Sequence, residues 1–451
     1  MVYDITLCGG RVVDTERKTS RIANVAICGS KIAAVSTEPL PAKRMIDVSG
    51  NIVCPGFIDA HAHLDGYDYG GRLSVLQGIT TSVGGNCGLS PIDMAGFFTE
   101  QEKKGFALNQ MMCIGHSFTL RKTVGITNTG AKAGAAQLDS MVRLATKALD
   151  DGACGVSLGL DYAPGTSLAE IDAMAQLAAD YRRVLSVHTR LFTQNDLYSL
   201  YEMLAAVKRT GGRLLLSHFV YQYSGFGTME PAIGVLRAAR GSGLDVWCDT
   251  GMYTDWSTYI NTTTFDEQTI KDNSLRFGDM VVATGKYVGQ RLNRDLYQLL
   301  RKKYPDESVI CFSGCPAEIF AAMREPYAMV STDSGAYAPG EGHPQIAGSF
   351  PRYFRKMVRE QAILPLEEAV YKATLLPAQT YQIPNKGILR AGYDADITVF
   401  NLANIHDNAV MPDKGEPDTP PSGIPYVMVN GVFAVADGVF QDTRSGKVIR
   451  Y

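Results

Sequence analysis

Between residues 56 and 385 the chain alternates short apolar runs with longer segments of helical spacing, and this constrains the fold more than any other feature. Parallel strands need long crossover connections, which the helical segments supply. Eight strands can be read. They end near His61-Ala62-His63, near Cys87, near His116 and at Gly155-Val156-Ser157-Leu158-Gly159. The others end near His188, near His218, near Asp249 and near Asp333. Helical spacing is clearest from Leu138 to Leu149, Leu168 to Tyr181 and Asp196 to Val207. Eight such units predict an α/β fold, a (β/α)8 TIM-like barrel. The interval between the seventh and eighth strands is too long for one helix, so residues 262–310 read as an insertion over the barrel mouth. Residues 1–55 and 386–451 carry short strand-like runs separated by turn residues. They predict a small β-sandwich domain assembled from both chain ends around the 56–385 barrel.

Composition excludes several classes. A net charge of −3 without basic or acidic blocks argues against nucleic-acid partners and disordered tails. No apolar run reaches membrane-spanning length. The nine cysteines are scattered, form no CxxC and sit mostly in apolar runs, a pattern of buried thiols in a reducing compartment. The N-terminus reads as a strand and not as a signal peptide, so the cytoplasm is expected. The expected partner is a small molecule, with a homo-oligomer left open.

Chemistry in such a barrel sits where the strands end. His61 and His63 close the run Val53-Cys54-Pro55-Gly56-Phe57-Ile58-Asp59-Ala60, and side chains two apart on a strand point the same way. Alone, the pair suits either one divalent cation or a hydrogen-bonded surface pair. Five of the seven histidines, His61, His63, His116, His188 and His218, terminate predicted strands, and Cys87 and Asp333 terminate two more. Imidazole, thiolate and carboxylate are the ligand set of zinc.

Taken together, these residues resemble the amidohydrolase superfamily, which places HxH on strand one, His on strands five and six, and Asp on strand eight. Within it the chain is most similar to the N-acyl-D-amino-acid deacylases. The resemblance spans nearly the whole chain. It runs through Gly85-Asn86-Cys87-Gly88, Gly115-His116, His188-Thr189-Arg190, Ser217-His218, Asp333-Ser334-Gly335 and His343-Pro344. It implies zinc-dependent hydrolysis of a non-peptide amide C–N bond. Cys87, His188 and His218 would hold the tight zinc, and His61 and His63 with Cys87 a second, weaker site. Asp333 would be a further ligand and the residue that takes a proton from water and returns it to the leaving nitrogen. Cys87 would replace the carboxylated lysine that bridges two metals in many relatives, since the fourth strand carries no lysine. The bland alternative for Cys87 is a buried structural thiol. His116 would either orient ligands from behind or simply pack.

The family's His-His-Lys and His-Pro-Arg, whose cations grip a substrate carboxylate, read here His218-Phe219-Val220 and His343-Pro344-Gln345. Arg190, Arg121 or Arg352 either replaces that grip or is structural. Arg190, Tyr253, Ser257 and His343 are the candidate substrate contacts. The aromatics Tyr221, Tyr223, Tyr253, Trp256 and Tyr259 suit either a pocket for an apolar substrate or the packing of loops. Two alternatives stand beside the deacylase reading. One is a hydrolase of cyclic amides such as hydantoins, dihydropyrimidines or imides, or a deaminase. The other is a catalytically inactive barrel used as a scaffold.

Overall fold

The computed structural model describes residues 2–190, 197–224 and 227–451. Eight parallel strands form one sheet in sequential order: Phe57–Asp59, Ile79–Gly84, Asn109–Gly115, Gly155–Gly159, Val184–His188, Arg213–Leu216, Val246–Thr250 and Ala328–Val330. The first and last strands meet at a bridge between Ala62 and Ser334. Asp333 N donates to His61 O at 2.9 Å and His63 N to Ser334 O at 2.8 Å. Asp59, fully buried, reinforces this closure by accepting from Thr332 N at 3.0 Å.

Several strands stop short of the residues expected to terminate them. His61, Cys87, His218 and Asp333 lie two or three residues beyond their strands. The reason is backbone geometry: Cys87, His218 and Asp333 have φ of 52°, 34° and 54°. No strand accommodates such values, and non-glycine residues adopt them rarely. The side chains therefore project from turns that cap the barrel.

The expected helices form over Ala135–Asp150, Leu168–Asp180 and Tyr198–Thr210; Asp196, the expected start of the third, lies outside the described residues. Nine strands from the two chain ends pair into one continuous sheet that wraps a core including Leu7, Val25, Val53, Ile397 and Met428. Strand Ile52–Pro55 pairs antiparallel with Ile397–Phe400 and leads through Gly56 into the first barrel strand. The C-terminal region is not confined to that sheet. Its last residues lie along the barrel, where Gln110 N donates to Lys447 O and Ile449 N to Gln110 O, both at 2.9 Å.

The excursion between the seventh and eighth strands begins at Asp255, earlier than 262, because its first strand pairs within it. Asp255–Tyr259, Met280–Val282 and Ser308–Phe312 make a three-stranded antiparallel sheet. It buries its own core of Ile260, Phe265, Val282, Leu300 and Val309.

One polar cluster pins the outer helices to the barrel. Ser167 caps the helix Leu168–Asp180, and Glu170 reaches back to Ser167 N at 3.0 Å in a capping box. The same carboxylate ion-pairs with the Arg121 guanidinium and lies 3.4 Å from His116 Nε2. Burial opposes ionisation of Glu170, but His116, the Ser167 and Ala133 amides and Arg121 outweigh it and hold its pKa at about 2. A carboxyl whose pKa falls on folding stabilises the fold above its unfolded value, and that contribution disappears as pH falls through the folded value. Glu170→Gln should therefore be less stable near pH 6. Wild-type stability should also fall more steeply than the variant's between pH 4.5 and 2, as measured by thermal melts across that range. Parallel pH profiles would contradict this account.

Candidate metal centre and its cavity

The end of the fifth strand and the turns after the first, second and sixth bring five donors together. Among the described residues, two groups of three have ligand atoms within 4.8 Å of one another: Cys87, His188 and His218, and His61, His63 and Cys87. Cys87 belongs to both. Its sulfur lies 3.4 Å from His61 Nε2 and 3.5 Å from His218 Nε2. The Asp333 carboxylate lies 3.4 Å from both His61 Nε2 and His63 Nε2.

The Gly85-Asn86-Cys87-Gly88 turn explains how the thiol is aimed. Gly85 has φ of 71°, and a Cβ there would stand 2.1 Å from the Cys113 carbonyl oxygen, so only glycine fits. Asn86 staples the turn, donating to Val83 O at 2.8 Å and accepting from Ser186 Oγ at 3.1 Å. Gly88, at φ of 81°, then lets the chain leave past Ser117.

The electrostatics suit a cation. Burial alone would raise the Cys87 thiol, but His61, His188 and His218 outweigh it and hold its pKa well below the usual range. Burial would likewise raise Asp333, and His63, His61 and His218 keep it below the ordinary carboxylate value. Nδ1 of His188 and of His218 is buried without a hydrogen-bond partner. Buried polar atoms are rarely left so. The thiolate-prone sulfur and the imidazoles gathered within 4.8 Å of it fit zinc in ligand type and separation.

Asp249 was not foreseen as a site residue. It is fully buried, its Oδ2 lies 3.4 Å from His61 Nδ1, and its Oδ1 accepts from His218 N at 3.0 Å. A carboxylate behind an imidazole fixes ring orientation and tautomer. Its signal was visible in the sequence, as a carboxylate near the end of the seventh strand. Tyr162 was also missed: its ring packs at a tilt against His188 with centroids 4.6 Å apart, and its hydroxyl meets Thr258 Oγ1 at 3.1 Å.

The centre opens into a cavity of about 790 Å³. Ser257 lines it, with Tyr162, Tyr221, Trp256, Tyr259 and Tyr337, so these aromatics form wall and not only packing. The other expected substrate contacts lie elsewhere. Arg190 binds Glu202 at 3.0 Å and the Pro164 carbonyl at 2.8 Å, which occupies its guanidinium. His343 is fully buried between Asp255 Oδ2 at 3.2 Å and Gln345 N at 3.1 Å. Tyr253 packs edge-on against His343, under the Arg352 guanidinium. His116 faces the Glu170 and Arg121 cluster, its Nε2 3.4 Å from the Glu170 carboxylate. Arg121 pairs with Glu170, and Arg352 with Asp407. Val220 is buried in the core, and Gln345 is buried with its amide donating to the Asp333 carbonyl.

Two models of the amidohydrolase family match the chain, one over residues 44–217 and one over residues 307–435. An N-acyl-D-glutamate deacylase from Alcaligenes xylosoxydans xylosoxydans is 31% identical, covering 99% of this chain and 96% of the relative. A crystal structure of D-aminoacylase superposes with a TM-score of 0.89 at 27% identity, covering 100% of both chains. The N-acyl-D-glutamate deacylase of Bordetella bronchiseptica, solved with zinc and a phosphonate mimic of the tetrahedral intermediate, gives 0.88 at 28% identity, again over 100% of both. With its strand-end donors on this barrel, the chain belongs to the amidohydrolase family, in the branch of the N-acyl-D-amino-acid deacylases.

Proposed function

We propose that this metal-dependent amidohydrolase uses zinc to cleave the amide of an N-acyl-D-amino acid whose α-carboxylate is blocked. The observation that carries the reading is the convergence of Cys87, His188, His218 and Asp333 at the floor of one cavity. Cys87, His188 and His218 would hold the tight ion, and His61, His63 and Cys87 the weaker one. A zinc ion held by these residues would supply Lewis-acid chemistry, polarising the scissile carbonyl and making the attacking water more acidic.

The protein's own groups do the rest. Asp333 accepts the proton of the attacking water as the new C–O bond forms, and returns it to the nitrogen as the C–N bond breaks. The products are a carboxylic acid and an amine. Asp249 steadies the His61 ring and the His218 backbone, and Tyr162 covers one face of His188. The blocked carboxylate is favoured because each arginine that could have gripped a free one is paired elsewhere.

Three outcomes are expected. Cys87→Ala should lose most of its zinc by elemental analysis, together with activity; full zinc with unchanged turnover removes the thiolate from the centre. Asp333→Asn should keep its fold and most of its zinc while turnover drops at least about a hundred-fold. Normal turnover in that variant would falsify the proton shuttle, and joint loss of metal and activity would make Asp333 chiefly a ligand. On a substrate panel, N-acetyl-D-amino acid amides or esters should be hydrolysed at higher kcat/KM than the free acids. Efficient turnover of the free acids would place the chain with deacylases that grip a carboxylate.

A further inference from the structure

The charge of the cavity is one-sided. Besides Asp333, five carboxylates line it: Asp65, Asp161, Asp306, Glu307 and Glu341. No Lys or Arg lines it among the described residues, and residues 191–196 and 225–226 contain neither. No ion pair joins any of the five to a Lys or Arg among the described residues; the nearest cationisable partner is His188, 3.8 Å from Asp161.

Two of the five are built into the wall together, around the Thr284-Gly285 turn. Glu307 accepts from the Thr284 hydroxyl, and Glu341 accepts from Gly285 N at 3.0 Å. Gly285 has φ of 73°, and a Cβ on it would lie 1.9 Å from Glu307 Oε1, so a glycine is what lets the two carboxylates close on one turn. A separate observation points the same way. Asn273 is 2% exposed and lines the cavity, its Nδ2 donates to Thr269 O at 2.9 Å, and its Oδ1 has no hydrogen-bond partner. A buried acceptor left unpaired calls for a donor from outside the protein.

The donor is organic and not a second metal. The only groups of three ligand atoms close enough to share an ion, among the described residues, are the two at the catalytic floor. The wall also carries Trp256, Tyr259 and Tyr337, whose ring faces attract an organic cation. A cavity of one sign concentrates counter-charge and repels like charge.

We propose that the cavity wall at Glu307, Glu341 and Asn273 is a subsite for a positively charged group on the substrate, an ammonium or a guanidinium. The substrate class is then an N-acylated basic amino acid derivative or polyamine-like amide, its amide at the metal floor and its cation at this wall. The inference rests on the reaction proposed above and narrows it.

The test pairs Nα-acetyl-lysine amide, in both hands, with the neutral Nα-acetyl-2-aminoheptanoic acid amide, in which a methyl group replaces the ammonium. Calorimetry on the metal-free protein at low salt should show the lysine compound binding at least ten-fold more tightly, with the advantage shrinking as salt rises. Turnover of the zinc-loaded enzyme should show at least a ten-fold difference in kcat/KM, carried by KM. In Glu307→Gln/Glu341→Gln, which retains side-chain hydrogen-bonding capacity at both positions, both ratios should fall toward one. Asn273→Leu should narrow them as well. Equal binding of the two compounds, or ratios unchanged in the double variant, overturns the subsite while leaving the hydrolysis reading in place. Selective binding with no hydrolysis of either compound supports the subsite and overturns the reaction.

Discussion

A single buried carboxylate, Asp249, ties three segments of the barrel rim to one another. It accepts from His218 N after the sixth strand and from the Ser331 hydroxyl at 2.6 Å after the eighth, and it faces His61 after the first. A charge removed from water is costly unless it is fully partnered, and these three contacts partner it. Because they come from elements that meet only when the barrel closes, the carboxylate is satisfied only in the closed fold. Asp59 ties segments together a layer deeper, where it binds Thr332 N and the His61 backbone amide, although burial outweighs these contacts and pushes its pKa up to about 7. The positions of the candidate ligands follow from this closure.

The same closure holds an unfavourable backbone. Left-handed conformations at Cys87, His218 and Asp333 cost on the order of 1–3 kcal/mol each. Each is held by hydrogen bonds of its neighbours or its own amide: Asn86 beside Cys87, Asp249 at the His218 amide, and the His61 carbonyl at the Asp333 amide. Strain gathered at three donor positions belongs to the turns that turn side chains inward, over the barrel axis, where a strand would alternate them to either side.

Much of this was legible in the residues. Eight strand runs, the His61-Ala62-His63 pair, the single Gly-Asn-Cys-Gly turn and the matching HisThr and SerHis endings are local signals, carried by residue type and spacing. The fate of the arginines was not legible. Arg121 finds Glu170, and Arg352 finds Asp407, 49 and 55 positions away. Nothing near Arg190 in sequence reveals that Glu202 and two carbonyls occupy it. Those pairings are set by tertiary packing, as is the burial of His343 against Asp255. The positive φ values were equally hidden: histidine and aspartate enter the left-handed region more readily than most residues, yet still rarely, so residue type alone does not mark these turns.

The three-stranded sheet between the seventh and eighth barrel strands has a core of its own. It also furnishes much of the cavity wall, from Trp256 and Tyr259 to Asn273, Thr284 and Glu307. The donors at the floor all come from the barrel. The ligand set is thus encoded in the barrel, while much of the cavity wall, though not Glu341, is encoded in the insertion. A self-supporting cassette of this kind can drift or be exchanged without disturbing the bond-breaking machinery beneath it, so the lineage can acquire new substrates through one insertion while the barrel stays constant.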